Sequence, residues 1–356
     1  MQSRLRFWKY PISIILLLLV IAAFTFIAVF SDTVKAPDET TAREAVVSET
    51  PEPEEINDEP DDEAEDELPD EPGPPDEPDV EEIKYDPAAD GFIPLIMDAS
   101  DIHRGELLLV NQDNSFSIPD DLDLVNIIET RTVSFRVQQD GALLSRIIMT
   151  PLDEMMDAFI SATGVRTVEI ISAFRTLDHQ QRILNNYISR MGRREALRWA
   201  ALPGHSEHHT GLALDFGILS GGVRSTFTGT DSTSWFRRNS HKFGFILRFP
   251  PNKIHITQTA HEPWHFRYVG LPHSTIMFQN NLCLEEYIDF LREYTFEEPF
   301  EFEHEGKTYI IYFAAAGDVK LPLNSEFEIS GNNVDGFIVT VIMLEHDPSA
   351  VVELSV

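Results

Sequence analysis

Two short segments about fifty residues apart hold side chains whose types and spacing could do chemistry. They are Ser206-Glu207-His208-His209-Thr210-Gly211-Leu212-Ala213-Leu214-Asp215 and Glu262-Pro263-Trp264-His265-Phe266-Arg267-Tyr268. His208, Asp215 and His265 offer two imidazoles and a carboxylate, and Glu262 precedes the last of them by three residues. A catalytic zinc takes three protein ligands and keeps a fourth position for water, and hydrolysis needs a base for that water's proton. A zinc hydrolase is therefore the leading reading, with Glu262 as the base. Pro263 breaks strict strand alternation, which lets Glu262 and His265 face one cavity. An oxyanion partner is also required. Arg175, closing Ser172-Ala173-Phe174-Arg175, is the best candidate, and a structural ion pair is the equal alternative.

These residues need elements to position them. Thr150, as N-cap before Pro151, predicts a helix to about Thr163, with Leu152, Met155, Met156 and Phe159 on its apolar face. A strand over Val165 to Ser172 leads to Arg175, and helices follow from Asp178 to Met191 and from about Arg193 to Ala201. Gly211 to Phe216 reads as a strand carrying Asp215. Thr233 to Phe243 reads as a helix with Gly244 as its C-cap. A strand at Phe266 to Gly270 and a helix from Leu284 to Arg292 complete an α+β arrangement. Glu106 to Asn111 is a strand or short buried segment. From about Glu293 the chain turns β-rich, with runs at Phe300 to Glu303, Thr308 to Ala314, Glu326 to Ser330 and Phe337 to Leu344. Asp318, Asn324 and Gly331-Asn332-Asn333 read as turns between them.

The N-terminal quarter has another character. Pro11 to Phe30 is uncharged and apolar over twenty residues, long enough as a helix to cross a bilayer core of roughly 30 Å. Arg4, Arg6 and Lys9 precede it, so the positive-inside rule leaves residues 1–10 in the cytoplasm and exports the remainder. A signal peptide cleaved near Val34-Lys35-Ala36 is the alternative. Glu49 to Glu82 holds 19 acidic residues, recurrent proline and no lysine or arginine, which is 19 of the chain's net −33. Such a composition reads as a self-repelling spacer rather than a packed domain, and the acidity argues against nucleic acid as a partner. The single cysteine, Cys283, excludes an intrachain disulfide and reads as a buried structural residue. The expected organisation is a tail at 1–10, an anchor at 11–30, a tether at 31–90, the metal domain at 91–292 and a β appendage at 293–356.

The motifs carry a resemblance. Ser172 to Thr176 with Gln180, the Ser206–Asp215 segment and Glu262 to Gly270 resemble the VanY-type D-alanyl-D-alanine carboxypeptidases of zinc peptidase family M15, subfamily B. The likeness extends to Leu109-Val110-Asn111-Gln112-Asp113-Asn114 and to Trp235 through Pro250, and spans about residues 100–292. It implies a Hedgehog/DD-peptidase-like fold, zinc held by His208, Asp215 and His265, Glu262 as base, Arg175 at the transition state, and Ser206 and Gln180 lining the substrate site. The family spacing also selects His208 over His205 and His209 as the ligand. The implied substrate is the peptidoglycan stem peptide, cut before its terminal D-alanine. The N-terminal run puts that activity on the cell-wall side of the membrane, and a monomer is expected. Ala173, Phe174, His209, Gln258 and His261 stand where the family commonly has Gly, Tyr, Gln, Gly and Tyr. The departures near Glu262 bear on substrate preference. An L,D-carboxypeptidase acting on tetrapeptide stems shares the same ligands, and a non-catalytic wall-binding module would have no need of Glu262. His241 and His261 read as packed or solvent-facing, and Trp264 as core packing that orients His265.

Overall fold

A computed structural model describes residues 91–323 and 325–343, which lie in one compact unit. The tail, anchor and tether expected at 1–90 lie outside the described residues. Among the described residues no helix is long and apolar enough to cross a membrane.

The strands run in order as β1 (Phe92–Ile96), β2 (Leu124–Asn126), β3 (Arg136–Val137), β4 (Leu143–Ser145), β5 (Val168–Ser172), β6 (Ala213–Ser220), β7 (Val223–Thr226), β8 (Phe245–Leu247) and β9 (His265–Tyr268). After them come β10 (Phe300–His304), β11 (Lys307–Ala315), β12 (Asp318–Pro322), β13 (Glu326–Gly331) and β14 (Gly336–Met343). Among the described residues the five longest α-helices are α1 (Met149–Thr163), α2 (Leu177–Met191), α3 (Ser234–Asn239), α4 (His273–Gln279) and α5 (Leu284–Leu291). The central sheet orders its strands β3-β5-β6-β9-β8, with β7 pairing on β6. Only the β3–β5 pair is parallel. The architecture is α+β, as expected.

The helix α1 places Leu152, Met155, Met156, Phe159 and Ile160 on one buried face, the 3–4 spacing that keeps side chains on one side of a helix. They pack against Phe216, Phe236, Phe245 and Phe266 behind the sheet. Gly164 closes the helix at φ 70°, its amide returning to the Ile160 carbonyl at 2.8 Å. Thr150 is not its N-cap: a 3-10 turn over Arg146–Ile148 runs straight into the helix, so Thr150 already lies inside the first turn. The cap of α2 is Thr176, whose hydroxyl accepts from the His179 amide. The helix expected over 193–201 is only Arg193–Ala196, and the one expected over 233–243 is α3 followed by a 3-10 turn ending at Gly244. Residues 107–110 are buried but form no strand.

The expected division at Glu293 is not a boundary of packing. β10-β11-β14-β13 form a four-stranded antiparallel sheet. On one side of it Tyr309, Ile311 and Ile338 share a core with Leu284, Tyr287, Ile288 and Leu291 of α5 and with Leu107 and Leu109. On the other side Phe337, Val339 and Val341 meet Val319 and Leu321. β12 was expected as a turn at Asp318, yet the alternating Val319 and Leu321 are buried in a strand that pairs with β1. The N-terminal strand of the described chain thus belongs with the C-terminal β region. Cys283 is buried beside the start of α5, and burial pushes its thiol up to about 12, which makes it unreactive.

Candidate metal centre and catalytic cleft

Strand register gathers the site. Asp215 on β6 lies opposite His265 on β9 and, across the other edge, opposite Ser172 at the end of β5. The sheet alone therefore brings Asp215, His265 and the Arg175 segment to one place. His208 reaches it from a short 3-10 turn, Glu207–Thr210, that ends at Gly211 with φ 72°. A Cβ at Gly211 would meet Leu124 Cδ2 at 2.8 Å and the Ser145 amide nitrogen at 2.9 Å. Glycine is required there both by conformation and by the close approach.

The ligand atoms offered by His208, Asp215 and His265 lie within 4.8 Å of one another, and all three residues are buried. His208 Nε2 is 3.3 Å from Asp215 Oδ2, and His265 Nδ1 is 2.8 Å from Asp215 Oδ1. Ligands bound at about 2.0–2.1 Å in a tetrahedral zinc site stand roughly 3.3 Å apart, so small adjustments suffice. The outer nitrogens are occupied as metal-binding histidines require. His208 Nδ1 donates to the Ala173 carbonyl at 2.7 Å, which turns the Nε2 lone pair inward. His265 Nε2 lies 3.2 Å from Glu207 Oε2, which aims Nδ1 at the same point. The donor set and its orientation fit zinc.

These groups also hold one another. Burial drives His208 down to about 4. Burial also opposes charge on His265, but its hydrogen bonds to Asp215 and Glu207 win and raise it to about 9. Asp215 is held well below the usual carboxylate range because His208 and Arg175 outweigh the cost of its burial.

Beneath His265 lies an ionic cluster with almost no solvent contact. Glu207 Oε1 accepts from Arg248 Nε at 2.7 Å and from Arg267 Nη1 at 3.0 Å, and Arg248 also grips Glu285 at 2.6 and 2.9 Å. Both arginines are fully buried. Burial would raise the Glu207 carboxyl, but the two guanidiniums overcome it and keep the group ionised. This cluster fixes the carboxylate that fixes His265. Sequence reasoning missed it, although Arg267 sits two residues after His265 and so on the same face of β9.

Arg175 Nη2 lies 2.5 Å from Asp215 Oδ2, Nε donates to Ser172 Oγ at 2.8 Å, and Nη1 donates to Gln180 Oε1 at 3.3 Å. The ion-pair and catalytic readings of Arg175 thus coexist, since it pairs with Asp215 while lining the cleft. Gln180 also lines the cleft, but its amide is spent on Arg175 and on the Ala201 carbonyl. Ser206 is buried and lines the cleft. Glu262 is 8% exposed, and its carboxylate has no hydrogen-bond partner among the described residues. Burial pushes it up to about 8, against the pull of His265. The cleft encloses about 760 Å³, open solvent at its mouth included.

The remaining histidines are sorted by their partners. His209 is buried away from the centre, with Nδ1 on the Arg175 carbonyl and Nε2 accepting from the Gly204 amide. His205 lines the cleft and donates to the Asn111 carbonyl. His241 is packed, stacked on Phe278 at 3.7 Å between ring centroids. Trp264 departs from expectation. It lines the cleft and stacks on Trp199 at 6.5 Å rather than serving only as core. Trp199 and Tyr187 had no motif to mark them.

Comparison with known proteins identifies relatives of the chain. The family model for VanY, D-alanyl-D-alanine carboxypeptidase, matches residues 141–271. A D-alanyl-D-alanine carboxypeptidase of Enterococcus faecium is 34% identical over 246 residues, covering 67% of this chain and 76% of that protein. One from Enterococcus faecalis is 35% identical over 198 residues, covering 53% and 68%. The crystal structure of the vancomycin-resistance D,D-dipeptidase VanXYg, in complex with a D-Ala-D-Ala phosphinate analogue, superposes with a TM-score of 0.64 at 31% identity, over 71% of this chain and 100% of that one. The chain belongs to the VanY-type D-alanyl-D-alanine carboxypeptidase family, and with it to the peptide hydrolases.

Proposed function

We propose that the chain is a zinc-dependent D-alanyl-D-alanine carboxypeptidase that removes the terminal D-alanine from peptidoglycan stem peptides. The observation that carries this reading is the convergence of His208, Asp215 and His265 beside an unpartnered Glu262 in one cleft. Zinc, when bound, supplies Lewis-acid polarisation of the scissile carbonyl and acidifies water. His208, Asp215 and His265 would hold it.

The rest of the chemistry falls to the chain's own side chains. Glu262 takes the proton of the attacking water and returns it to the leaving amine of D-alanine. Its burial favours the protonated form and so the second half of that transfer; a nearby cation favours the ionised form and so the first. Arg175, held by Ser172, Gln180 and Asp215, presents its guanidinium to the developing oxyanion. A donor fixed before the reaction costs no reorganisation during it. Ser206 lines the substrate side of the cleft, and Gln180 serves it by orienting Arg175.

The reading extends to place. The uncharged run at 11–30 acts as a single-pass anchor, and the acidic segment after it as a spacer that sets a monomeric catalytic unit on the wall side of the membrane, within reach of stem peptides. Incubating the full chain in detergent with zinc and muropeptides tests the substrate. D-alanine should leave pentapeptide stems and not tetrapeptide stems. Release from tetrapeptides alone would replace this reading with an L,D-carboxypeptidase, and release from neither would end it.

A further inference from the structure

Among its described residues the C-terminal β region contains no metal-binding cluster, yet it makes hydrogen bonds that hold one wall of the cleft. That wall is the irregular segment 107–116. It contributes Val110, Asn111 and Gln112 to the cleft lining, and its backbone pairs with no neighbouring strand of the central sheet. Its backbone groups must therefore find partners elsewhere.

Three of them, the Leu109 amide and the carbonyls of Leu109 and Ser115, find partners at the turn between β13 and β14. The Leu109 amide donates to the Asn332 carbonyl at 3.0 Å. Asn333 Nδ2 donates to the Leu109 carbonyl at 2.9 Å and to the Ser115 carbonyl at 3.0 Å. His103 Nδ1 lies 2.6 Å from Asn333 Oδ1, so both ends of this buried amide are engaged. The turn itself is stiff. Asn332 Oδ1 accepts from the amides of Val334, Asp335 and Gly336. Asn333 sits at φ 61°, in the left-handed region that asparagine tolerates and most residues do not.

The held segment then acts on the cleft. The Asn111 carbonyl accepts a hydrogen bond from His205 Nδ1 at 2.8 Å. Gln112 Nε2 donates to the Gln258 carbonyl at 3.2 Å, and Gln258 Nε2 donates back to Asp113 Oδ2 at 3.1 Å. Gln258 opens the loop that reaches Glu262 four residues later. A continuous set of hydrogen bonds thus runs from Asn333 through residues 109–115 to the loop bearing the proposed base.

We infer that Asn333 is a positioning residue for substrate binding, and that the C-terminal β region serves this enzyme by holding the cleft wall at 109–115. The inference rests on the proposed carboxypeptidase reading. Asn333→Gly is the informative variant, because glycine accepts the left-handed backbone and only the amide is lost. In the full chain its KM for a pentapeptide substrate should rise by about fivefold to tenfold, the order expected when the side chain's two hydrogen bonds to the wall are lost along with its third, to His103. Its kcat should stay within about twofold and its zinc content at one per chain, because the metal ligands lie on other elements. Hydrogen exchange should quicken at 109–116 and at 258–262, with β10 and β11 unchanged. The KM effects of Asn333→Gly and Gln112→Ala should be less than additive, because they break one path.

An unchanged KM in Asn333→Gly with active wild type would overturn the inference, as would exchange at 109–116 that does not change. A loss of kcat that matches a loss of bound zinc would also overturn it, since that would mean general damage. Inactive wild type would defeat the carboxypeptidase reading instead, and the exchange comparison would still decide whether Asn333 holds the wall.

Discussion

The floor and the wall of the cleft are built in opposite ways. The floor is made by neighbouring strands: β5, β6 and β9 place Ser172, Asp215 and His265 side by side through backbone register. The wall at 107–116 has no ladder of its own and depends on side-chain amides from a turn more than two hundred residues away, Asn333 to Leu109 being separated by 224 positions. A site whose chemistry tolerates little displacement sits on regular backbone, whose hydrogen bonds are cooperative and many. A surface that sets which substrate fits sits on a loop pinned at a few points, where single changes alter fit without dismantling the chemistry.

The largest effect expected comes from Glu262→Gln, on the loop that leads into the floor strand β9. It should bind zinc as the parent does and lower kcat by about 10² to 10⁴, the usual range for a general base. Steady-state kinetics with metal analysis on the same sample would check it, and parental turnover would remove Glu262 from that role.

Glu207→Gln should have the next effect. It weakens the acceptor behind His265, and zinc affinity should drop about 10-fold to 100-fold, as measured by competition with a chromogenic chelator. It also leaves Arg248 and Arg267 without their shared carboxylate in a place closed to solvent. Breaking such a buried cluster costs about 3–5 kcal/mol, visible as a lower urea midpoint. Unchanged stability and zinc affinity would show that the cluster does not support the floor. Asn333→Gly, described above, is the matching test on the wall and should be smaller and confined to KM.

The last effect, confined to acid pH, concerns how the β region is joined to the rest. His273 on α4 is buried between the Tyr287 hydroxyl at 2.8 Å and Thr340 Oγ1 of β14 at 3.0 Å. Burial pushes it down to about 3, below its ordinary value of about 6.5. The folded state therefore favours the neutral ring. Its contribution is fully present above about pH 6.5 and is lost as pH falls towards about 3, by about 1.4 kcal/mol per pH unit. His273→Gln should flatten the stability profile over that window by one proton's worth. An identical slope in the variant would show that His273 does not titrate on unfolding there.

How much was legible beforehand follows the same division. Asp215, Glu262 and His265 could be named because two compact motifs carry them, and the family spacing selected His208 from three clustered histidines. Cys283 was read as buried on chemistry alone, and it is. The ionic cluster was hidden because Glu207 meets Arg248 across 41 positions and Glu285 enters through Arg248, distances no local pattern encodes. Gly331-Asn332-Asn333 was recognisable as a turn, but nothing in its sequence says that its amides face residues 109 and 115. β12 was misread because Asp318 resembles a turn residue, although Val319 and Leu321 alternate as a strand should. Its partner β1 lies at the far end of the described chain, so the pairing could not be read locally. Trp264 was assigned to the core because a tryptophan beside a ligand usually packs; its stacking on Trp199 depends on a segment with no motif.

The central claim is that His208, Asp215 and His265 hold one zinc and that peptide cleavage depends on it. Titrating zinc into chelator-stripped full chain, while measuring D-alanine released from a pentapeptide muropeptide, tests it most directly. Activity should return in proportion to zinc and saturate at one equivalent, and His265→Ala should neither bind zinc tightly nor recover. Release that survives chelation, or full zinc affinity and turnover in His265→Ala, would contradict the account.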